Sequence, residues 1–339
     1  MEKWSGTRRT FIKQSSLALT TLVLPFFLTS FTKLNIMINK NNFDAIIIGG
    51  SYAGLSAGMA LGRALRNVLI IDSGKPCNSQ TPHSHNFLTQ DGKIPKEISS
   101  LAKEQVLKYK TIQFYDGLAV SGSKTETGFE IITQSGKKFR SKKLIFATGV
   151  EDIMPSIKGF SECWGISIIH CPYCHGYEYS NDKTGIFANG DEAFEMGKLI
   201  SNWTKDLTVF TNGKSTLTTE QSEKLAKHNI KVVENEIESF EHCKGQIENI
   251  HFKDGSKTAI KALYARPSFE QHCTIPIQLG CELTEQNHVK TDPFAKTTQQ
   301  GVFACGDSTT MMRSVSYAVA MGGIAGVITN REIIEQEFN

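Results

Sequence analysis

The residues best suited to chemistry are His170-Cys171-Pro172-Tyr173-Cys174-His175-Gly176. Two cysteines at this spacing can close a small disulfide ring, and a turn or helix start holds the first sulfur near backbone N–H groups that favour its thiolate. His175 follows the pair directly, and an imidazole titrates near neutrality, which suits it to taking a thiol proton. Cys171, Cys174 and His175 are therefore the catalytic candidates. The same letters have another reading, because CxxCH is the attachment sequence of c-type haem. Zinc would need four converging ligands, and the adjacent residues 170 and 171 tend to point apart, so no metal is expected. His83 and His85, on a loop with Pro82 and Asn86, could line a pocket or simply face solvent. Trp164 reads as core.

A redox pair needs an electron partner, and the flanking sequence supplies one. From Phe43 the chain reads FDAIIIGGSYAGLSAGMALGRALRNVLIID: an apolar run, a glycine turn, a helix-period segment and a second apolar run ending in an acid. This is a βαβ unit whose tight turn brings backbone close to a pyrophosphate at a helix N-terminus, with an acid for a ribose hydroxyl. Gly49 and Gly54 take the first and third glycine positions and Asp72 the acid's, while Ser51, preceded by Gly50, stands where the middle glycine belongs. An amphipathic helix is expected near residues 94 to 109, and alternating strands over 128 to 133 and 138 to 145 run into Ala147-Thr148-Gly149. Gly301 to Asp307 reads as a strand ending in Gly-Asp, with a helix from Ser314 to Ile328.

A degenerate copy of the first unit lies further along. Ala188, Gly190 and Ala193 stand opposite Gly49, Ser51 and Gly54, followed by a helical run to Trp203 and a strand over Leu207 to Phe210. The strand end that should select a ribose reads Thr211-Asn212-Gly213-Lys214, with no acid for a 2′-hydroxyl and no Arg for a 2′-phosphate. No arginine occurs from residue 141 to residue 265. This half keeps the pattern of a nicotinamide site without its usual determinants.

Composition agrees with a globular enzyme. The chain has 339 residues, 40% hydrophobic and 21% charged, which suits about two domains and excludes disordered, collagenous and disulfide-scaffold classes. The net charge of +3 is an average of unlike parts, since residues 1 to 40 carry +5 and the remainder −2. The enzyme part thus gives no reason to expect a nucleic-acid partner. Thr7-Arg8-Arg9-Thr10-Phe11-Ile12-Lys13, followed by 19 uncharged residues, resembles a twin-arginine export signal, so an extracytoplasmic or periplasmic location is expected. A single membrane anchor is an alternative, as is a cytoplasmic protein starting at Met37. Cys77, Cys163, Cys243, Cys273, Cys281 and Cys305 have no partner at motif spacing and read as small buried hydrophobes.

In order, GGSYAG, Asp72, ATG, the CxxC, a second glycine-turn unit and GVFACGD resemble the thioredoxin reductase family over about residues 43 to 335. The resemblance implies an α/β fold of two Rossmann-like nucleotide-binding domains, the nicotinamide-type one inserted into the FAD domain. The expected divisions are an N-terminal extension (1–40), FAD-binding parts (41–153 and 264–339) and the inserted domain carrying the CxxC (154–263). It also implies FAD contacts from Gly49, Gly50, Ser51, Ala53, Gly54, Asp72, Asn86, Gly149, Gly306 and Asp307, with Cys174 facing the flavin and Cys171 the substrate. Gly190, Asp191 and Ala193 are the candidates for NADPH or NADH, and a homodimer is implied. Thioredoxin reductases place an Asp after the second cysteine; His175 instead resembles the gliotoxin-type dithiol oxidases, in which a substrate dithiol reduces the pair and oxygen takes the electrons. Three classes remain open at this point: a disulfide oxidoreductase working in either direction, a flavin-binding protein without catalysis of its own, and a c-type haem protein.

Overall fold

The computed structural model describes residues 41–339; the export-type segment and Met37 lie outside the described residues. In chain order the first elements are β1 (Asn42–Ile48), α1 (Tyr52–Arg63), β2 (Val68–Asp72), α2 (Pro95–Leu107), β3 (Ile112–Asp116), β4 (Ala119–Thr125), β5 (Gly128–Thr133), β6 (Lys138–Phe146) and β7 (Val150–Asp152). Then come α3 (Phe160–Cys163), β8 (Ile168–Ile169), α4 (Pro172–His175), β9 (Thr184–Phe187), α5 (Gly190–Ile200), β10 (Leu207–Phe210), α6 (Thr219–Lys227) and β11 (Lys231–Val233). The remainder is β12 (Ile237–Cys243), β13 (Gln246–Phe252), β14 (Lys257–Ala259), β15 (Ala262–Ala265), β16 (Phe269–Gln271), α7 (Ile275–Gln278), β17 (Val302–Ala304) and α8 (Val315–Phe338).

Two larger sheets, one mixed and one parallel, organise these elements. The first runs β3-β2-β1-β6-β5-β4, and β6 has two partners on its far edge: antiparallel β5 along its first half and parallel β17 along its second. Strands β1 and β2 are almost wholly buried because both faces are covered, one by α1, α2 and α8 and the other by side chains of β4, β5 and α7, so their sequences read as continuous apolar runs. The second sheet, β11-β10-β9-β15-β8, is parallel throughout, and β12-β13-β14 form a separate antiparallel sheet. Both larger sheets are Rossmann-like, and the chain from β8 to β15 is inserted between β6 and β17 of the first. Of the expected elements, α8 runs ten residues beyond Ile328, and the antiparallel sheet of β12 to β14 carried no distinctive motif.

Helix α8 packs across α1 at close range. A Cβ on Gly322 would strike the backbone of Ala53, and one on Gly326 would meet the Ala57 carbonyl oxygen at 2.6 Å. Ser56 Oγ donates to the Val319 carbonyl at 2.7 Å across the same contact. This approach brings Gly306 and Asp307, which precede α8, to the turn that opens α1; a Cβ on Gly306 would lie 3.0 Å from Ala53 Cβ. Gly322→Ala is expected to destabilise the protein by about 1–3 kcal/mol through overpacking. Gly323→Ala, whose new Cβ meets nothing closer than Ser56 Oγ at 3.4 Å, is expected to change stability by less than about 1 kcal/mol. Chemical denaturation of the two variants checks the contrast, and equal losses would remove the close crossing as the cause.

Candidate active site

A cavity of about 600 Å³ opens at the carboxyl ends of β1, β2, β6 and β17. That is where open α/β sheets take ligands, because strand order reverses between β1 and its neighbours β2 and β6. The turn from β1 into α1 is its floor. Gly49 has φ of 103°, and a Cβ there would strike the Ala147 carbonyl at the end of β6. Gly54 packs directly on the Gly49 carbonyl, so only glycine lets α1 begin this close to the strand. Gly50 N donates to Asp72 Oδ1 at 3.0 Å, which fixes the acid at the cavity's edge. Ser51 stands at the N-cap of α1 in an extended conformation, yet its side chain makes no capping bond and no acid occupies the first turn. The first amides of α1 are left free to meet an anion.

The opposite wall holds a charged cluster. Arg313 donates to both carboxylate oxygens of Asp152, at 2.6 and 2.9 Å, and its Nε lies 3.5 Å from Asp307 Oδ2. Burial pushes the Asp307 carboxyl up against the opposing pull of Arg313. Cys77 Sγ lies 3.8 Å from the same carboxylate. Cys77 lines the cavity beside this cluster, and its thiol is pushed up to about 11, first by desolvation and then by the Asp307 carboxylate. Three buried polar atoms bordering the cavity, Thr148 Oγ1, His170 Nε2 and Arg313 Nε, have no hydrogen-bond partner. Free helix amides, a fixed acid at the strand end and unsatisfied polar atoms along the wall fit a long dinucleotide such as FAD.

At one end stands the redox pair. Cys171 and Cys174 are joined as a disulfide with Cα atoms 5.3 Å apart. Cys171 is the extended N-cap of the single turn α4, with Pro172 at its first position, and the amides of Cys174 and His175 both reach back to the Cys171 carbonyl at 3.2 Å. Cys174 and His175 line the cavity and Cys171 does not. The His175 imidazole is held below its ordinary range, first by burial and then by repulsion from His85, with Glu178 opposing. His170 is pushed down to about 4, mainly by burial and then by Arg313, so it stays neutral.

The structure gathers most of the expected residues here. Gly49, Gly50, Ser51, Ala53, Asp72, Gly149, Gly306 and Asp307 line the cavity, while Gly54 sits behind it as packing. Asn86 lies outside, on an exposed turn with φ of 58°, its amide donating to Asp91 Oδ1. His85 borders the cavity; His83 is exposed, and Trp164 is both core and wall. Among the six other cysteines the expectation of burial holds for Cys163, Cys273, Cys281 and Cys305. It fails for Cys77, whose loop faces the cavity, and for Cys243, which ends β12 at an exposed hairpin. Asp152, Glu178 and Arg313 were not anticipated, since a lone Arg or acid outside a motif carries no spacing signal.

The second βαβ turn is built differently. Asn189 Oδ1 accepts from Gly190 N and from Thr216 N, both at 2.8 Å, so the N-terminus of α5 is capped by its own chain. Asp191 and Glu192 occupy its first turn. Gly190, Asp191 and Ala193 line neither the large cavity nor the smaller one, of about 240 Å³, bounded here by Asn189, Glu192, Asn212 and Arg266.

A dinucleotide cavity with a disulfide at its end, on two nested Rossmann-like units, defines a flavin-dependent disulfide oxidoreductase. The chain belongs to the pyridine nucleotide-disulphide oxidoreductase family, whose model matches residues 43–322. It is 32% identical over 309 residues to thioredoxin reductase tcpT of Claviceps purpurea, covering 88% of this chain and 96% of that one. Thioredoxin reductase sirT of Leptosphaeria maculans is 33% identical over 301 residues, covering 84% and 92%. Among solved structures, an oxidoreductase from Agrobacterium tumefaciens superposes with a TM-score of 0.82 at 36% identity, covering 87% of this chain and 99% of that one. TrxB from Bacillus anthracis gives 0.83 at 31%, covering 87% and 100%. The enzyme thus moves two electrons between FAD and the Cys171–Cys174 pair, which exchanges with a substrate disulfide or dithiol. Gly50→Val, whose Cβ would press on Asp72, is expected to weaken FAD binding by about tenfold or more, equivalent to ~1.4 kcal/mol. Flavin fluorescence titration of the apoprotein measures it, and unchanged affinity would exclude the turn from the site.

Proposed function

We propose that the enzyme is a nicotinamide-independent dithiol oxidase, in which a substrate dithiol reduces Cys171–Cys174 and the electrons leave to oxygen. The observation that carries this reading is the contrast between the two helix N-termini. No side chain meets the first amides of α1, whereas the first amide of α5, Gly190 N, is met by Asn189 and is followed by Asp191 and Glu192, whose charges repel a pyrophosphate. The missing determinants at Thr211 to Lys214 point the same way. FAD, when bound, supplies the two-electron acceptor. The chain's own residues do the rest: Cys171, outside the cavity, exchanges with substrate; Cys174, inside it, meets the flavin; and His175, held neutral by burial, takes a thiol proton.

One observation favours a second reading, in which NADPH or NADH reduces the flavin and the dithiol then reduces a substrate disulfide. Arg266 borders the smaller cavity and could meet a phosphate there. The division of the chain at 41–153, 154–263 and 264–339 belongs to this proposal, as do FAD contacts from the cavity-lining glycines, Asp72 and Asp307. So do a homodimer, on family resemblance, and export by the twin-arginine route on the motif at Arg8 and Arg9. An extracytoplasmic enzyme would have no NADPH supply, which fits the oxidase reading.

Anaerobic addition of a dithiol such as dithiothreitol is expected to bleach the flavin, with colour returning on admission of air, and Cys174→Ser is expected to abolish the response. NADPH and NADH are expected to leave the spectrum unchanged. Flavin bleaching by NADPH at turnover rates would overturn the oxidase reading.

A further inference from the structure

Oxidising a dithiol releases two protons in succession at one place, and a single buried base can accept the second only if the first has moved on. His175 has a neighbour arranged for that. The rings of His175 and His85 lie 6.2 Å apart, edge to face at 89°. His85 Nε2 is 3.4 Å from Glu178 Oε1 and its Nδ1 is 3.7 Å from Asp91 Oδ1, so each ring nitrogen faces a carboxylate. Exposure rises outward along this set, from 20% for the His85 side chain to 38% for Glu178 and 67% for Asp91. The charged groups around the pair come from each neighbouring segment: His83 and Asp91 from the loop after β2, Glu178 from the turn after α4, and His170 from the turn before it. His83 is tied to the Gly92 carbonyl through Nδ1 at 2.9 Å, and His170 is neutral, so the carboxylates beside His85 are the local counter-charge.

We propose that His85, held between Glu178 and Asp91, is a positioning residue that receives the proton His175 takes from the substrate thiol and passes it toward solvent. The inference rests on the dithiol-oxidising direction proposed above, in which the substrate arrives as a dithiol, and it does not depend on what finally takes the electrons from the flavin. The step balances. The first substrate thiol yields its proton to His175 and attacks Cys171 Sγ as thiolate; the Cys171–Cys174 bond breaks and its electron pair leaves on Cys174 Sγ. The 6.2 Å between the ring centroids is too long for direct transfer and leaves room for one water, through which the proton moves to His85 and empties His175. The second thiol gives its proton to His175 and attacks the substrate sulfur of the mixed disulfide, and Cys171 leaves as thiolate. The substrate is oxidised by two electrons, the enzyme disulfide is reduced by two, and the two protons end on the cysteines, the imidazoles or solvent. Repulsion between the two imidazoles, already felt at His175, disfavours a second proton on the pair.

The test is the pH profile of disulfide reduction by dithiothreitol, followed by stopped flow in the flavin-loaded protein and its His85→Asn and Glu178→Gln variants. A second readout is the pH dependence of iodoacetamide alkylation of the reduced pair, with flavin removed. In the parent protein the acid limb should lie below the ordinary imidazole value of 6.5. His85→Asn removes a like charge and should move that limb to higher pH, with a loss of about tenfold near neutrality, short of the ~10²–10⁴ carried by a primary base. Glu178→Gln removes an attractive charge and should move it to lower pH. Alkylation profiles should shift in the same two directions. Profiles that keep the parent's shape, or fall equally at every pH in both variants, would overturn the proposal. Glu178→Gln, at a partly exposed site, keeps the test decisive if His85→Asn fails to fold.

Discussion

Everything in this enzyme hangs on leaving a helix N-terminus unsatisfied at the end of a buried strand. The chain passes from β1 to α1 through three residues, Gly49 to Ser51, with no side chain accepting from the first amides of the helix. Orphaned amides at a buried helix end are costly without a partner, and a bound anion is the partner that satisfies them. The surrounding structure accepts this local cost because α1 is held elsewhere, by Gly54 against the strand end and by α8 across its other face.

The same logic explains how one supersecondary unit can be present twice and yet serve differently. In the second copy a single amide oxygen, Asn189 Oδ1, accepts from two backbone amides, and two acids follow. Strand, turn and helix survive because packing of β9, β10 and α5 does not depend on a ligand. What differs is the charge an incoming phosphate would meet.

Between the two units the reacting groups lie along a gradient of exposure. Asp307, Cys174 and His175 are partly buried, and Glu178 and Asp91 reach solvent. Arg313 spans the enclosed end, binding Asp152 at the close of β7 and approaching Asp307 before α8, so buried charge is matched where the cavity is deepest.

The amino-acid sequence by itself determined the two Rossmann-like units, the glycine turn after β1, the acids Asp72 and Asp307 at strand ends, and the CxxC with its histidine. Each is a demand made within a few residues: a positive φ at Gly49, an acid at a strand end, two sulfurs one turn apart. It was weaker wherever the partner lies far along the chain. Asn86, which the family resemblance places against FAD, sits outside the cavity, and Cys77, which looked like filler, faces into it. The Asp152–Arg313 pair, 161 residues apart, and the contact of His85 with His175 and Glu178 were decided only by the tertiary structure. Backbone geometry is written locally, whereas the charge that surrounds a buried group depends on which segments the sheets bring together.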